Sequence, residues 1–101
     1  MSDREFEYHV EAIKEAWDAF HWYDERTGNA AEVFWEELRR ARQSVTKHPK
    51  SWTPYLHGTR CFKLARFPYA LVYIERGNRI IGIAVAHLKR RPGYSRERLA
   101  D

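Results

Sequence analysis

Hydrophobic and polar positions change period along the 101 residues of the chain, and each period names an element. Near the start, Phe6, Tyr8 and Val10 alternate with charged or polar residues, which predicts a short strand. Ile13, Ala16, Trp17, Phe20 and Tyr23 then recur at three and four residues, which predicts one apolar face of a helix. Thr27-Gly28 marks its expected end, because glycine accepts the left-handed cap conformation. Asn29 stands where it could cap a second helix, whose apolar line is Phe34, Leu38, Ala41 and Val45. That helix should stop before Pro49, since proline disfavours helical geometry in the residue ahead of it. Two helices joined by so few residues return antiparallel, as a hairpin.

Beyond Pro49, Pro54 and Gly58 the period changes to two. Residues 59–66 (TRCFKLAR) alternate, with Arg60, Phe62 and Leu64 on one side and Cys61, Lys63 and Ala65 on the other. Residues 69–76 (YALVYIER) are β-branched and aromatic, and Gly77-Asn78 predicts a tight turn into the apolar run RIIGIAVAHL. The last two segments are apolar on both faces, so both faces need cover. The helical hairpin can supply one cover, and the C-terminal residues or a partner the other. The expected fold class is α+β: a short N-terminal strand and an antiparallel helical hairpin packed on an antiparallel β-meander, one domain over residues 1–101.

Composition adds a strong charge polarity. Residues 1–38 hold 11 of the 14 acids and 3 of the 18 lysines and arginines, whereas residues 39–101 hold 15 basic residues and 3 acids. A basic half of this kind favours a polyanion or an acidic protein partner; mutual neutralisation of the two halves is the alternative. No apolar run approaches the roughly 20 residues a membrane helix requires, and the charged N-terminus lacks the core of a secretory signal. The single cysteine, Cys61, can form neither an internal disulfide nor a cysteine-based metal site, and a reducing cytoplasm is the expected location. No cofactor or metal is expected.

The densest chemistry lies in AVAHLKRRPGYSRER, residues 84–98, where five cations follow an apolar strand against one acid, Glu97. His87 ends that strand, and an imidazole titrates near neutral pH, so it could act as acid or base; a structural or solvent-facing histidine is the competing reading. Pro92-Gly93 turns the chain and sets Tyr94 among arginines. That arrangement suits base stacking with phosphate contact, and equally an ordinary cation–π pair. Arg60, Lys63 and Arg66 form a second basic set, which would equally deter edge-to-edge pairing on an outer strand. Cys61 reads as a buried small residue, and Trp22, Tyr23, Trp35 and Trp52 as packing aromatics.

The order of elements, and above all RFPYALVYIERGNRIIGIAVAHLKRRPGY (residues 66–94), resembles the RelE/ParE superfamily of bacterial type II toxins. One branch of that superfamily carries an arginine, Phe-Pro-Tyr, an apolar pair, Tyr, a turn and an apolar strand, then His, two residues, basic residues and Pro-Gly-Tyr. Here the matching positions are Arg66, Phe67, Pro68, Tyr69, Tyr73, His87, Arg90, Arg91, Pro92, Gly93 and Tyr94. The resemblance continues upstream in EAIKEAWDAFHWYDERTGNAAEVFWEEL and covers nearly the whole chain.

The resemblance implies a growth-inhibiting toxin held inactive by a cognate acidic antitoxin that wraps its groove and sheet. Two activities are known in the superfamily. ParE-like members poison DNA gyrase without nuclease chemistry, and RelE-like members cut mRNA on the ribosome without a metal. For cleavage, His87 or Tyr94 would serve the proton steps, with Lys63, Arg90 and Arg91 stabilising charge on the phosphate. Arg60, Arg66, Lys89, Arg96 and Arg98 would contact target or antitoxin. The first of two departures weighs against RelE-style cleavage. The arginine that RelE-type cutters carry after the tyrosine is Ala70 here, and the first of their two strand lysines falls on Cys61. Ser95 stands where this branch usually has tryptophan, which removes an anchor for the last residues. A nucleic-acid-binding module built on residues 87–98 is the remaining alternative.

Overall fold

The computed structural model describes residues 4–26 and 28–100. Its elements run β1 (Glu5–Tyr8), α1 (Val10–Asp24), α2 (Ala30–Lys47), β2 (Thr53–Pro54), β3 (Arg60–Lys63), β4 (Tyr69–Arg76) and β5 (Arg79–His87), with short 3₁₀ segments at Leu56–Gly58 and Arg96–Ala100. The five strands form one sheet in the order β1-β5-β4-β3-β2. The expected meander is present as β3-β4-β5, antiparallel throughout. The N-terminal strand extends it in parallel: β1 lies beside β5, with Phe6 opposite Ile80 and Tyr8 opposite Gly82. The α+β class therefore holds, on a mixed rather than purely antiparallel sheet.

Several boundaries moved for identifiable reasons. Val10 belongs to α1 and not to the first strand, because His9 ends the extended segment as the helix cap: its Nδ1 accepts the Glu11 N–H at 3.0 Å. Helix α1 stops at Asp24, earlier than Thr27-Gly28, and Thr27 lies outside the described residues. Asn29 occupies the cap position of α2, but its side chain makes no capping bond. Strand β3 ends at Lys63; the Leu64 N–H still donates to the Tyr69 carbonyl at 2.9 Å, and the two amides after it turn away from the ladder. The Ala65 and Arg66 N–H groups donate to Glu37 Oε1 of α2 at 3.0 and 3.2 Å.

The face expected for helix α1 is buried only in part: Ala16 and Tyr23 pack on the core, but the buried stripe is rotated toward the alanines. Ala12, Ala16 and Ala19 face the sheet and are fully or nearly fully buried, whereas Ile13 and Trp17 remain 42% and 45% exposed. Small side chains let the helix approach β5 closely. The aromatics shift to its flank, where Trp17 meets Trp35 of α2 at 4.7 Å between centroids. In α2 the expected line of Phe34, Leu38, Ala41 and Val45 is buried, together with Ala31. These residues cover Leu71, Tyr73, Ile80 and Val85 of the sheet.

The opposite face packs Val72, Ile83 and Ala84 beneath Tyr94 and Leu99. Of the two covers expected for that face, the chain thus uses its own C-terminal residues. Gly82 is required by the β1 contact, since a Cβ there would lie 2.7 Å from Tyr8 Cδ1 and 2.9 Å from Phe6 Cζ.

Candidate functional site

Strand β5 places its functional end through a local irregularity. The β4–β5 register shifts between Val72 and Tyr73, so that Val72 faces Ala84 while Tyr73 faces Gly82, and Ile83 is the extra residue. Before the shift Ile80 and Gly82 point to the helices; after it Val85 and His87 do. His87 therefore sits opposite Tyr69, with the two rings edge to face at 5.1 Å.

The same strand is only half covered along its edge. β1 pairs with β5 as far as Gly82, whose carbonyl accepts the His9 N–H at 2.9 Å. Beyond it, side chains take over as hydrogen-bonding partners. The Val85 N–H donates to Glu15 Oε1 of α1 at 3.0 Å, and the Arg98 guanidinium donates to the Ile83 carbonyl at 3.0 Å. Arg98 also donates to both Glu15 oxygens at 2.9 Å, and the Tyr94 hydroxyl donates to Glu15 Oε2 at 2.6 Å. A single carboxylate thus holds the strand edge, the tail tyrosine and the tail arginine together.

Two hollows flank this junction. One, of about 430 Å³ on the helix side, is lined by Glu15, Asp18, Trp22, Tyr69, His87, Arg90 and Tyr94. The other, of about 110 Å³ on the far side, is lined by Cys61, Lys63, His87, Arg90, Arg91, Pro92 and Tyr94. Three of the expected residues, His87, Arg90 and Tyr94, border both. A family model described as "ParE toxin of type II toxin-antitoxin system, parDE" matches residues 6–92, from β1 through the Pro92 turn.

The chain belongs to the ParE toxin family. Among solved structures it is similar to the "Chromosomal ParDE TA system from P. aeruginosa", with a TM-score of 0.73 and 12% identity over 83% of this chain and 95% of that one. No curated protein sequence matches it. No helix among the described residues is long and apolar enough to cross a membrane.

In this ParE-family chain the candidate cations divide by position. Lys63, Arg90 and Arg91 converge on the far-side hollow with His87. Lys89 is exposed, and its backbone N–H donates to His87 Nδ1 at 3.0 Å, which leaves Nε2 to carry the ring proton of a neutral imidazole. Arg96 borders a small separate hollow with Tyr55, His57 and Leu99. The other three are engaged within the protein. Arg98 closes the ion pair with Glu15, at 15% and 16% side-chain exposure. Arg60 points to the helix side and donates to the Trp52 carbonyl at 2.8 Å. Arg66 pairs with Glu37 at 2.9 Å, on the β3–β4 turn.

Tyr94 is held as a hydrogen-bond donor. Burial, and then its hydrogen bond to Glu15, pushes its hydroxyl far above the ordinary tyrosine range. Its ring is also covered, since the Arg90 guanidinium carbon lies 3.8 Å from the ring centroid and that of Arg98 lies 5.2 Å away. The ring thus forms a cation–π pair with Arg90. Ser95 is buried beside it. Cys61 is half-buried rather than buried, and burial raises its thiol above the usual range.

Trp22 departs from its expected packing role: it is 51% exposed on the rim of the helix-side hollow, under the Arg26 guanidinium at 4.1 Å. Glu15, Asp18 and Tyr69 had not been expected at the site. For Glu15 a sequence signal existed, because it interrupts the buried alanine stripe Ala12, Ala16 and Ala19.

Proposed function

We propose that the chain arrests bacterial growth by binding DNA gyrase through the surface around His87, Arg90, Arg91 and Tyr94, and that a cognate acidic antitoxin neutralises it there. The observation that carries this reading is the engagement of Tyr94 and Arg98 by Glu15. Cleavage of RNA needs a group that takes the 2′-hydroxyl proton and cations aimed at the developing charge. Here the tyrosine proton is committed to the Glu15 carboxylate and the Arg98 guanidinium neutralises that same carboxylate, so neither Tyr94 nor Arg98 is free to serve a phosphate. A binding surface is not handicapped in this way. Arg90, Arg91 and Lys89 are exposed for contact with an acidic partner, next to the half-exposed Leu88 and Trp22. Family membership and the ParDE system named for the structural relative support an antitoxin partner.

The second reading, ribosome-dependent mRNA cleavage, draws support from one observation: Lys63, Arg90, Arg91 and His87 share a hollow. Controlled induction in a bacterium separates the two. Growth arrest with a DNA-damage response is expected; growth arrest with transcripts cut at ribosomal A sites and no DNA-damage response would replace gyrase binding by nuclease activity.

A further inference from the structure

We propose that the C-terminal half of α2 is a second polyanion-binding face, which holds the phosphodiester backbone of nucleic acid through Arg40, Arg42 and Lys47. It shares no residue with the tail surface and does not depend on the gyrase reading. The stretch 38–74 contains eight lysines and arginines and no acid, and five of those cations fall between Arg39 and Lys50. The fold places part of this run on one open surface. Arg40, Arg42, Gln43, Thr46, Lys47 and His48 line a shallow hollow of about 960 Å³ whose border contains no carboxylate.

The usual reasons for basic residues on a helix account for only some of these. Lysine or histidine in a last turn offsets the helix dipole, and Lys47 and His48 stand there. Arg40 and Arg42 lie about one and a half to two turns earlier, where the dipole has little effect. Ion pairing is also insufficient. Glu36 is shared by Arg39 and Arg40, which leaves that trio with a net positive charge, while Glu37 is turned to Arg66 and Lys50 is paired with Glu75. No ion pair among the described residues involves Arg42 or Lys47, and both are exposed.

The geometry suits a linear anion. Arg40, Gln43 and Lys47 follow one another at three and four residues, so they form a single stripe. From Arg40 to Lys47 the helix rises about 10 Å, which spans roughly three phosphates of one strand at about 3.4 Å of axis each. Gln43 adds an amide donor within the stripe. The apolar part of the border, Phe6 and Trp52, lies beside the stripe and offers aromatic faces on which a base can stack, so nucleic acid is a better match than an acidic protein segment.

The test is fluorescence anisotropy of the purified full chain, titrated with salt, against a labelled DNA duplex and a single-stranded RNA of equal length. The variant combines Arg40→Gln, Arg42→Gln and Lys47→Gln, all exposed positions, with circular dichroism confirming that it folds. A second variant, Arg90→Ala with Arg91→Ala, removes the tail cations. Each phosphate contact contributes about 0.9 to the log–log salt slope on duplex DNA. The α2 variant is therefore expected to lower the slope by about 2 to 3 and weaken binding at least tenfold in 0.1 M salt. The tail variant should leave that increment intact. Preference for duplex or for RNA identifies which backbone is held. An unchanged slope in the α2 variant overturns the proposal, as does binding to polyglutamate with none to either nucleic acid.

Discussion

Arg98 and Glu15, 83 positions apart, meet through two parallel N–H···O bonds of 2.9 Å beside the open edge of β5. Because the pair also bonds to Val85 N–H and the Ile83 carbonyl, it does for this half of the strand what a neighbouring strand would otherwise do. Arg98→Ala leaves a partly buried carboxylate with fewer donors and an edge carbonyl without its partner. The expected cost is about 2 to 3 kcal/mol in chemical denaturation. Faster hydrogen exchange at Val85 and in residues 94–100 should accompany it. Unchanged exchange there would show that the tail is held by its apolar contacts alone.

Glu37 plays a comparable part at the other end of the sheet. Its carboxylate is nearly buried and receives the Ala65 and Arg66 amides and the Arg66 guanidinium. Glu37→Ala is expected to destabilise the fold by about 2 to 3 kcal/mol. Arg66→Ala should cost clearly less, since the two amides keep their acceptor. Equal losses in the two variants, measured by urea denaturation, would contradict this division.

Gly82→Ala tests the seat of β1. The added methyl meets the Tyr8 and Phe6 rings well inside contact distance, so those rings must move. Overpacking of this kind costs about 1 to 3 kcal/mol, and exchange protection should fall first in residues 5–8.

Alkaline pH should unfold the chain through its tyrosines. Burial pushes the Tyr8 and Tyr73 hydroxyls up to about 12, and Tyr73 donates to the Pro49 carbonyl at 2.6 Å. In the unfolded chain a tyrosine ionises near pH 10. These folded values are raised, so the stabilisation is fully present below about pH 10 and is lost as pH rises through about 12. Phenolate absorbance and circular dichroism followed together should show ionisation of these groups coinciding with unfolding. Their ionisation in a chain that stays folded would contradict it.

Much of this architecture was legible in residue patterns, because periodicity reports which positions face the core. The line Phe34, Leu38, Ala41 and Val45, the run Tyr69–Arg76 and the Gly77-Asn78 turn all stand where their spacing put them. Helix α1 misled for a physical reason. Hydrophobicity marks the large residues Ile13 and Trp17, while the closest packing is reserved for alanines that let the helix approach the sheet. The parallel pairing of β1 depends on register, which no local pattern records.

At the site, the tail cations were visible as a cluster, but their separate destinations were not. Arg98 and Arg90 look alike in sequence, and only the fold brings Glu15 to one of them. A lone carboxylate on a distant helix carries no local mark of the guanidinium it will meet.

The central claim, that the tail surface binds gyrase rather than cutting RNA, is tested most directly by gyrase-catalysed supercoiling with the purified chain titrated in. Inhibition is expected, weakened at least tenfold by Arg90→Ala with Arg91→Ala, while mRNA on programmed ribosomes stays intact. Undisturbed supercoiling at saturating chain, with cleavage of that mRNA, would contradict the account.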